Sequence, residues 1–261
     1  MAEVVSYQPR WGNERRDHKA AAILATLRHI CGTSINHGRW LDVGCGSGRV
    51  AATLALQVEH VTGIDPEPWS AWEEAIVTNP NLQLLVGVFD VEALPMPLAT
   101  VDVVVCNQVY EHVRDPSRLI ANLFRVMRPG GTCYFAGPNL LWPVEPHVFW
   151  PAIHWFPRRF AQWLMRRAGS HRADELDAYS YAWFSLRRWF REAGFEVRWA
   201  LRERFAVELQ LRGWFKLATW IDRLPAWVFA VLEPITPGFI YVLHKPEGTS
   251  ETAGRMTKET Q

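Results

Sequence analysis

Two acids and three glycines carry the first chemical signal in this chain. Asp42 stands two residues before Gly44 in a D-x-G-x-G-x-G string, with Cys45, Gly46 and Gly48 completing it. Glycine permits positive φ and lets a ligand approach the backbone closely. Asp65 ends the segment HVTGID and is followed by Pro66. An acid at the carboxyl end of a strand, beside a glycine turn, can accept hydrogen bonds from both hydroxyls of a ribose. The string is not a dinucleotide fingerprint. That pattern needs a sixth-position glycine, and the candidates there are Arg49 and Ala51. A phosphate loop of the G-x-x-x-x-G-K-[ST] type is absent as well. An acid at position 42 repels a pyrophosphate but accepts from a cationic amine.

The elements that must position these groups follow from hydrophobic pattern. Trp40, Leu41 and Val43 form a short apolar run suited to a buried parallel strand, and a helix over 49–56 points its free N–H groups back at the glycine turn. Further strands are expected at 60–65, from Leu82 toward Asp90, and at 101–106. The last of these ends in Asn107 and Gln108, then Val109-Tyr110-Glu111-His112-Val113. Ligands in open α/β sheets bind beyond the carboxyl ends of the strands, where strand order reverses. His112, with an ordinary pKa of about 6.5, suits a general base there. The competing reading has Glu111 and His112 orienting the loop and capping a helix. That helix is expected over 116–127, ending at Arg-Pro-Gly-Gly before a fifth strand at 132–137.

The D-x-G-x-G-x-G string resembles motif I of the class I S-adenosylmethionine (SAM) methyltransferases. Y-E-H-V at 110–113 is similar to the L-E-H-V-like string of the type 11 small-molecule members, and R-P-G-G before a strand is a further family feature. The ordered set covers residues 39 to 139. The resemblance implies a Rossmann-like α/β fold with seven strands in the order 3-2-1-4-5-7-6 and helices on both faces. It implies SAM as cofactor, held by Asp42, Gly44, Cys45, Gly46, Gly48, Asp65, Pro66, Asp90, Val91, Asn107 and Gln108. In that family the residue matching Asp90 caps the adenine amine, and the next backbone N–H faces an adenine ring nitrogen. The activity implied is O-methylation of a small or lipid-linked molecule, with Glu111, His112 and His147 as candidate bases. Two alternatives stand beside it: a non-catalytic SAM-fold module that binds a partner or membrane surface, and a NAD-dependent oxidoreductase.

Composition bounds the rest. A chain of 261 residues with 49% apolar and 21% charged residues supports one substantial core. The expected division is a single domain over 1–246, with an aromatic and basic insert after strand five at 140–182, an apolar helical segment at 209–232, and a disordered tail at 247–261. A net charge of +1 gives no global field for nucleic acid. Cys31, Cys45, Cys106 and Cys133 form no C-x-x-C pair, so they read as buried free thiols, which favours a cytoplasmic location. No metal-ligand spacing is evident. The N-terminus lacks the apolar core of a signal peptide, and no apolar run reaches the ~20 residues that span a bilayer. Within the insert a helix is expected over 157–168, with Phe160, Trp163 and Leu164 on one face and arginines at both ends. It could pack on the core, close over the cofactor, or lie in a membrane interface, whereas the 209–232 segment reads as a helical layer on the sheet or a membrane-surface contact. Glu145 and His147 could supply a base at the substrate mouth. Gly238 to His244 reads as the final strand, which in the resembling fold inserts antiparallel between strands five and six.

Overall fold

The computed structural model describes residues 13–144, 148–176 and 179–248. Seven strands form one sheet in the order β3-β2-β1-β4-β5-β7-β6. They are β1 (Arg39–Val43), β2 (His60–Asp65), β3 (Leu82–Val86), β4 (Val101–Asn107), β5 (Met127–Pro138), β6 (Glu196–Trp199) and β7 (Gly238–His244). Strand β7 pairs antiparallel with both β5 and β6, while β1 pairs parallel with β2 and β4. This is the expected order, with β7 where the resemblance places it.

Helices cover both faces because the alternating strand residues are apolar on both sides. On one face α4 (Pro116–Val126) and α6 (Trp183–Ala193) bury Leu119, Ile120, Leu123, Leu186 and Phe190 against Leu41, Val43, Val104, Cys106 and Phe135. On the other, α1 (Asn13–Cys31) and α2 (Arg49–Ala55) bury Ile23, Leu24, Leu27 and Leu54 against Trp40, Val103, Val105 and Tyr134. The remaining helices are α3 (Trp72–Thr78), α5 (Arg158–Arg167), α7 (Leu201–Leu211), α8 (Phe215–Arg223) and α9 (Ala226–Leu232).

Several elements depart from the pattern-based expectation. Asp17, whose residue type suits a helix cap, lies instead inside α1, where its carboxylate takes Arg49 at 2.7 and 2.6 Å and Thr53 at 2.6 Å. Helix α3 begins at Trp72, after a loop from which the Trp69 indole donates to Asp65 at the end of β2 at 3.2 Å. Arg128 to Gly131 lies within β5 as an irregularity: Val101 pairs with Met127 and Val103 with Thr132. The segment 209–232 is the end of α7 plus two short helices, broken at Gly213 (φ 80°) and Pro225.

The insert builds a small core of its own from Val148, Ile153, Ala161, Met165, Ala173 and Leu176. Ala161 and Met165 form the buried face of α5, while Phe160 and Trp163 stack on each other in the open, 5.7 Å between centroids. Helices α8 and α9 likewise bury Ala218, Ile221 and Phe229 and leave Trp214, Phe215, Trp220 and Trp227 more than half exposed. Among the described residues no helix is long and apolar enough to cross a membrane.

Candidate functional site

The glycine turn sits at the carboxyl end of β1, between β2 and β4, where strand order reverses. Its N–H groups are already used. Gly44 and Cys45 donate to the Ile64 carbonyl at 2.8 and 3.1 Å, Gly48 to Cys45 at 3.0 Å, and Gly46 to Asp65 Oδ2 at 2.8 Å. A phosphate cradle needs such groups pointing outward, so this turn is shaped for something else. Gly44 takes φ 70°, and a Cβ there would lie 2.5 Å from Val109 Cγ2. The loop after β4 therefore presses directly on the turn. The same loop buries Tyr110, whose hydroxyl donates to the Pro138 carbonyl and whose ring fills the space a Cβ would take at Gly137.

Asp42 is the electrostatic centre. It is 4% exposed, and its Oδ2 has no hydrogen-bond partner among the described residues. Burial first, and then the neighbouring Asp65 charge, push its pKa up to about 7, against the pull of Lys19 and Arg16. A buried acceptor in this state is stabilised by an incoming cation. The Asp65 carboxylate is held by three donors: Gly46 N, Glu67 N at 3.2 Å and Trp69 Nε1 at 3.2 Å. An ionised carboxylate has roughly four acceptor positions, so a hydroxyl can join it or displace the indole. Trp72 Nε1 donates to the Gly46 carbonyl at 2.8 Å and fixes the turn from the other side. Pro66 is exposed beyond it.

Asp90 Oδ2 accepts from Arg114 N at 2.9 Å and Asp115 N at 3.4 Å, tying its loop to the start of α4. Asn122, buried on α4, donates to both the Phe89 and Val91 carbonyls at 2.8 Å. The 89–91 segment is thus positioned by α4, a role no local pattern announces. Asn107 ends β4, and Gln108 adopts φ 61° with its N–H on Ala136 O at 2.8 Å.

Glu111 is fully buried and His112 is exposed. Lys19, on α1, lies within electrostatic reach of Asp42 and Glu111 together, so α1 brings a cation to both acids. Arg16 of the same helix donates to Ser47 Oγ at 3.0 Å. Sequence alone does not single out these two cations or the two tryptophans as site residues. Helical spacing gives Arg16 and Lys19 only as polar positions on an amphipathic helix. His147 and Glu145 lie outside the described residues, as do residues 249–261 of the expected tail. Cys31, Cys45, Cys106 and Cys133 are free, and burial pushes all four thiols up.

The donor set fits a nucleoside carrying a cationic amine: one buried orphaned carboxylate oxygen, one strand-end carboxylate, and a fixed 89–91 backbone. Comparison with known proteins agrees. The family profile described as "Methyltransferase domain" matches residues 13–199. The chain is 36% identical over 104 residues to a probable S-adenosylmethionine-dependent methyltransferase of Mycolicibacterium smegmatis, covering 38% of this chain and 37% of the relative. It is 36% identical over 104 residues to a ubiquinone biosynthesis O-methyltransferase of Vibrio cholerae, covering 39% and 42%. The matched stretch thus spans about two-fifths of the length of these curated relatives. In fold it is similar to an S-adenosylmethionine-dependent methyltransferase from Mesorhizobium loti, with a TM-score of 0.56 at 16% identity over 87% of this chain and 99% of that one.

Proposed function

The chain belongs to the methyltransferase-domain family, and from that premise we propose that it transfers a methyl group from SAM to an oxygen of a small or lipid-linked acceptor. The observation that carries the cofactor half is the buried Asp42 carboxyl with its unpartnered Oδ2, beside a glycine turn whose N–H groups are turned inward. Asp42 accepts from the cofactor's ammonium group. Asp65 accepts from the ribose, sharing or displacing Trp69. Asp90 and the Val91 backbone, held by α4, frame the adenine, and Asn107 and Gln108 line the β4 side with Gly44, Cys45, Gly46, Gly48 and Pro66. When bound, SAM supplies a methyl group already made electrophilic by its sulfonium, so alignment does much of the catalytic work.

The chain's own task is then to seat the acceptor and take its proton. An oxygen nucleophile carries a proton at neutral pH and needs a base. We assign that role to Glu111, buried in the loop after β4, where Lys19 offers a compensating positive charge. Exposed His112 holds the loop or relays the proton outward, and His147 is the remaining candidate.

The acceptor side rests on surface composition. Exposed Phe149, Trp155, Phe156, Phe160 and Trp163 of the insert stand among Arg158, Arg159, Arg166 and Arg167. Exposed Trp214, Phe215, Trp220 and Trp227 stand with Arg212, Lys216 and Arg223. Asn139 links the two regions, donating to the carbonyls of Glu233, Pro234 and Thr236 at 3.0–3.3 Å just before the insert begins. Aromatic side chains mixed with arginine and lysine match a headgroup interface. We place the protein in the cytoplasm, where four free thiols persist, with peripheral membrane contact through 140–172 and 209–232. The experiment is methylation of a long-chain alkylcatechol, with its amine and thiol analogues, in anionic and in neutral vesicles. Methyl on oxygen, faster on anionic vesicles, is the expected result. Transfer to nitrogen or sulfur alone would overturn the acceptor assignment. Equal rates on both vesicles, together with no flotation at low salt, would remove the membrane contact.

A further inference from the structure

Helices α1 and α7 are joined by a charged network of which the proposed methyl transfer uses only Lys19. Between them lies an open cavity of about 550 Å³, lined by Arg15, His18 and Lys19 from α1 and by Leu201, Arg204, Phe205 and Glu208 from α7. Its polar lining is three permanent cations and a histidine against one carboxylate. That carboxylate is already engaged. Glu208 accepts from Arg204 at 2.6 Å, from His18 at 2.7 Å and from Arg212 at 3.2 Å. Burial alone would raise its pKa, but these hydrogen bonds outweigh burial and bring it down to about 2, so it stays ionised and occupied.

Arg204 also lies close enough to Tyr134, a buried residue of β5, to oppose the rise that burial gives its pKa. The Arg204 bond to Glu208 orients the guanidinium. Lys19 is different. It is partly buried, within electrostatic reach of Arg16, Arg204, Asp42 and Glu111, and its ammonium makes no hydrogen bond among the described residues. Burial first, then the Arg16 charge, lower its pKa, a cost that a bound anion would reverse. An ammonium has three donors to place. The remaining wall, Leu201 and the half-exposed Phe205, is apolar.

We propose that this cavity binds an oxyanion, a carboxylate or a phosphate, carried on an apolar body, with Lys19 and Arg204 as its ligands and Phe205 against the body. Because Lys19 is also within electrostatic reach of Asp42 and Glu111, a molecule anchored here lies beside the methyl-transfer site. The acceptor of the proposed function thereby gains an anionic group, and the identity of the occupant rests on that reading.

The test measures binding without turnover, so it stands or falls separately from the choice of acceptor atom. The full chain is first saturated with S-adenosylhomocysteine, so that the cofactor's own carboxylate is in place. It is then titrated calorimetrically with benzoate, with phenyl phosphate, and with benzyl alcohol as the neutral counterpart. Saturable binding of at least one anion, no saturable binding of the alcohol, and at least a tenfold loss in Lys19→Gln is the expected result. Whichever anion binds more tightly names the group. Lys19→Gln is the primary variant because its ammonium holds no structural hydrogen bond among the described residues; Arg204→Gln is expected to show the same loss but also breaks the ion pair with Glu208. Three outcomes would overturn the proposal: no saturable anion binding, equal binding of the alcohol, or anion binding unchanged in Lys19→Gln. A fourth would do so as well. If anions bind only before S-adenosylhomocysteine is added, the cations serve the cofactor and the cavity is not an acceptor site.

Discussion

Asp42→Asn separates what this side chain does for the cofactor from what it costs the fold. The folded protein holds the Asp42 proton up to a pH of about 7, because burial and then the Asp65 charge disfavour the anion. An ordinary aspartate carboxyl releases its proton near 3.8. Between those values the folded state binds a proton that the unfolded state has lost, so stability falls as pH rises, and the fall stops above about 7. From pH 5 to the folded pKa is about two units, and at about 1.36 kcal/mol per unit the loss is about 3 kcal/mol. In a chain of this size that corresponds to about 5–10 °C in melting temperature. The asparagine side chain does not titrate, so the variant should lack this component while keeping every other pH dependence of the chain. Thermal unfolding of both proteins at pH 5, 6, 7 and 8, without ligand, is the assay. The gap between variant and wild type should widen in the variant's favour up to pH 7 and then level off. SAM affinity should move the opposite way, with the variant much the weaker. Parallel melting profiles from pH 5 to 8 would refute the assignment of a shifted carboxyl to Asp42.

Other consequences are equally direct. Gly44→Ala places a Cβ 2.5 Å from Val109 Cγ2 at φ 70°, and a loss of about 1–3 kcal/mol in a urea melt is expected; an unchanged midpoint would contradict the close approach. Asn122→Ala leaves the Phe89 and Val91 carbonyls without their shared donor, which should cost about 1–3 kcal/mol and raise the Kd for SAM, read by calorimetry. Glu111→Gln should lower kcat strongly with little change in KM for SAM and should flatten the acidic limb of the kcat profile. If it leaves that limb intact, the base lies elsewhere, with His112→Ala the next variant to assay.

Much of the fold is legible in the sequence because its strands are short apolar runs ended by residues with one structural job. His60 to Asp65 and Gly238 to His244 match the observed strands residue for residue. The glycine turn is legible for the same reason, since its positive-φ positions admit little else. What escapes the sequence lies in contacts between distant elements. Lys19 and Arg204 are 185 positions apart, and only the packing of α1 on α7 makes them neighbours. Asn122 is an ordinary polar residue on α4 until the 89–91 carbonyls arrive beside it. Periodicity leaves the role of the α5 face open: of Phe160, Trp163 and Leu164, only Leu164 packs on the small core of the insert, which Ala161 and Met165 fill, while Phe160 and Trp163 stay exposed. Helical spacing says that residues share a face and is silent on whether that face meets a core or remains open.

The most direct test of the SAM assignment is calorimetric titration of the purified full chain with SAM, beside Asp65→Ala and with NAD as the competing ligand. The expected result is saturable binding of SAM at one site per chain, loss of that binding in Asp65→Ala, and no saturable binding of NAD. A wild-type chain that folds and fails to bind SAM, or binds NAD in its place, would contradict a SAM-dependent methyltransferase.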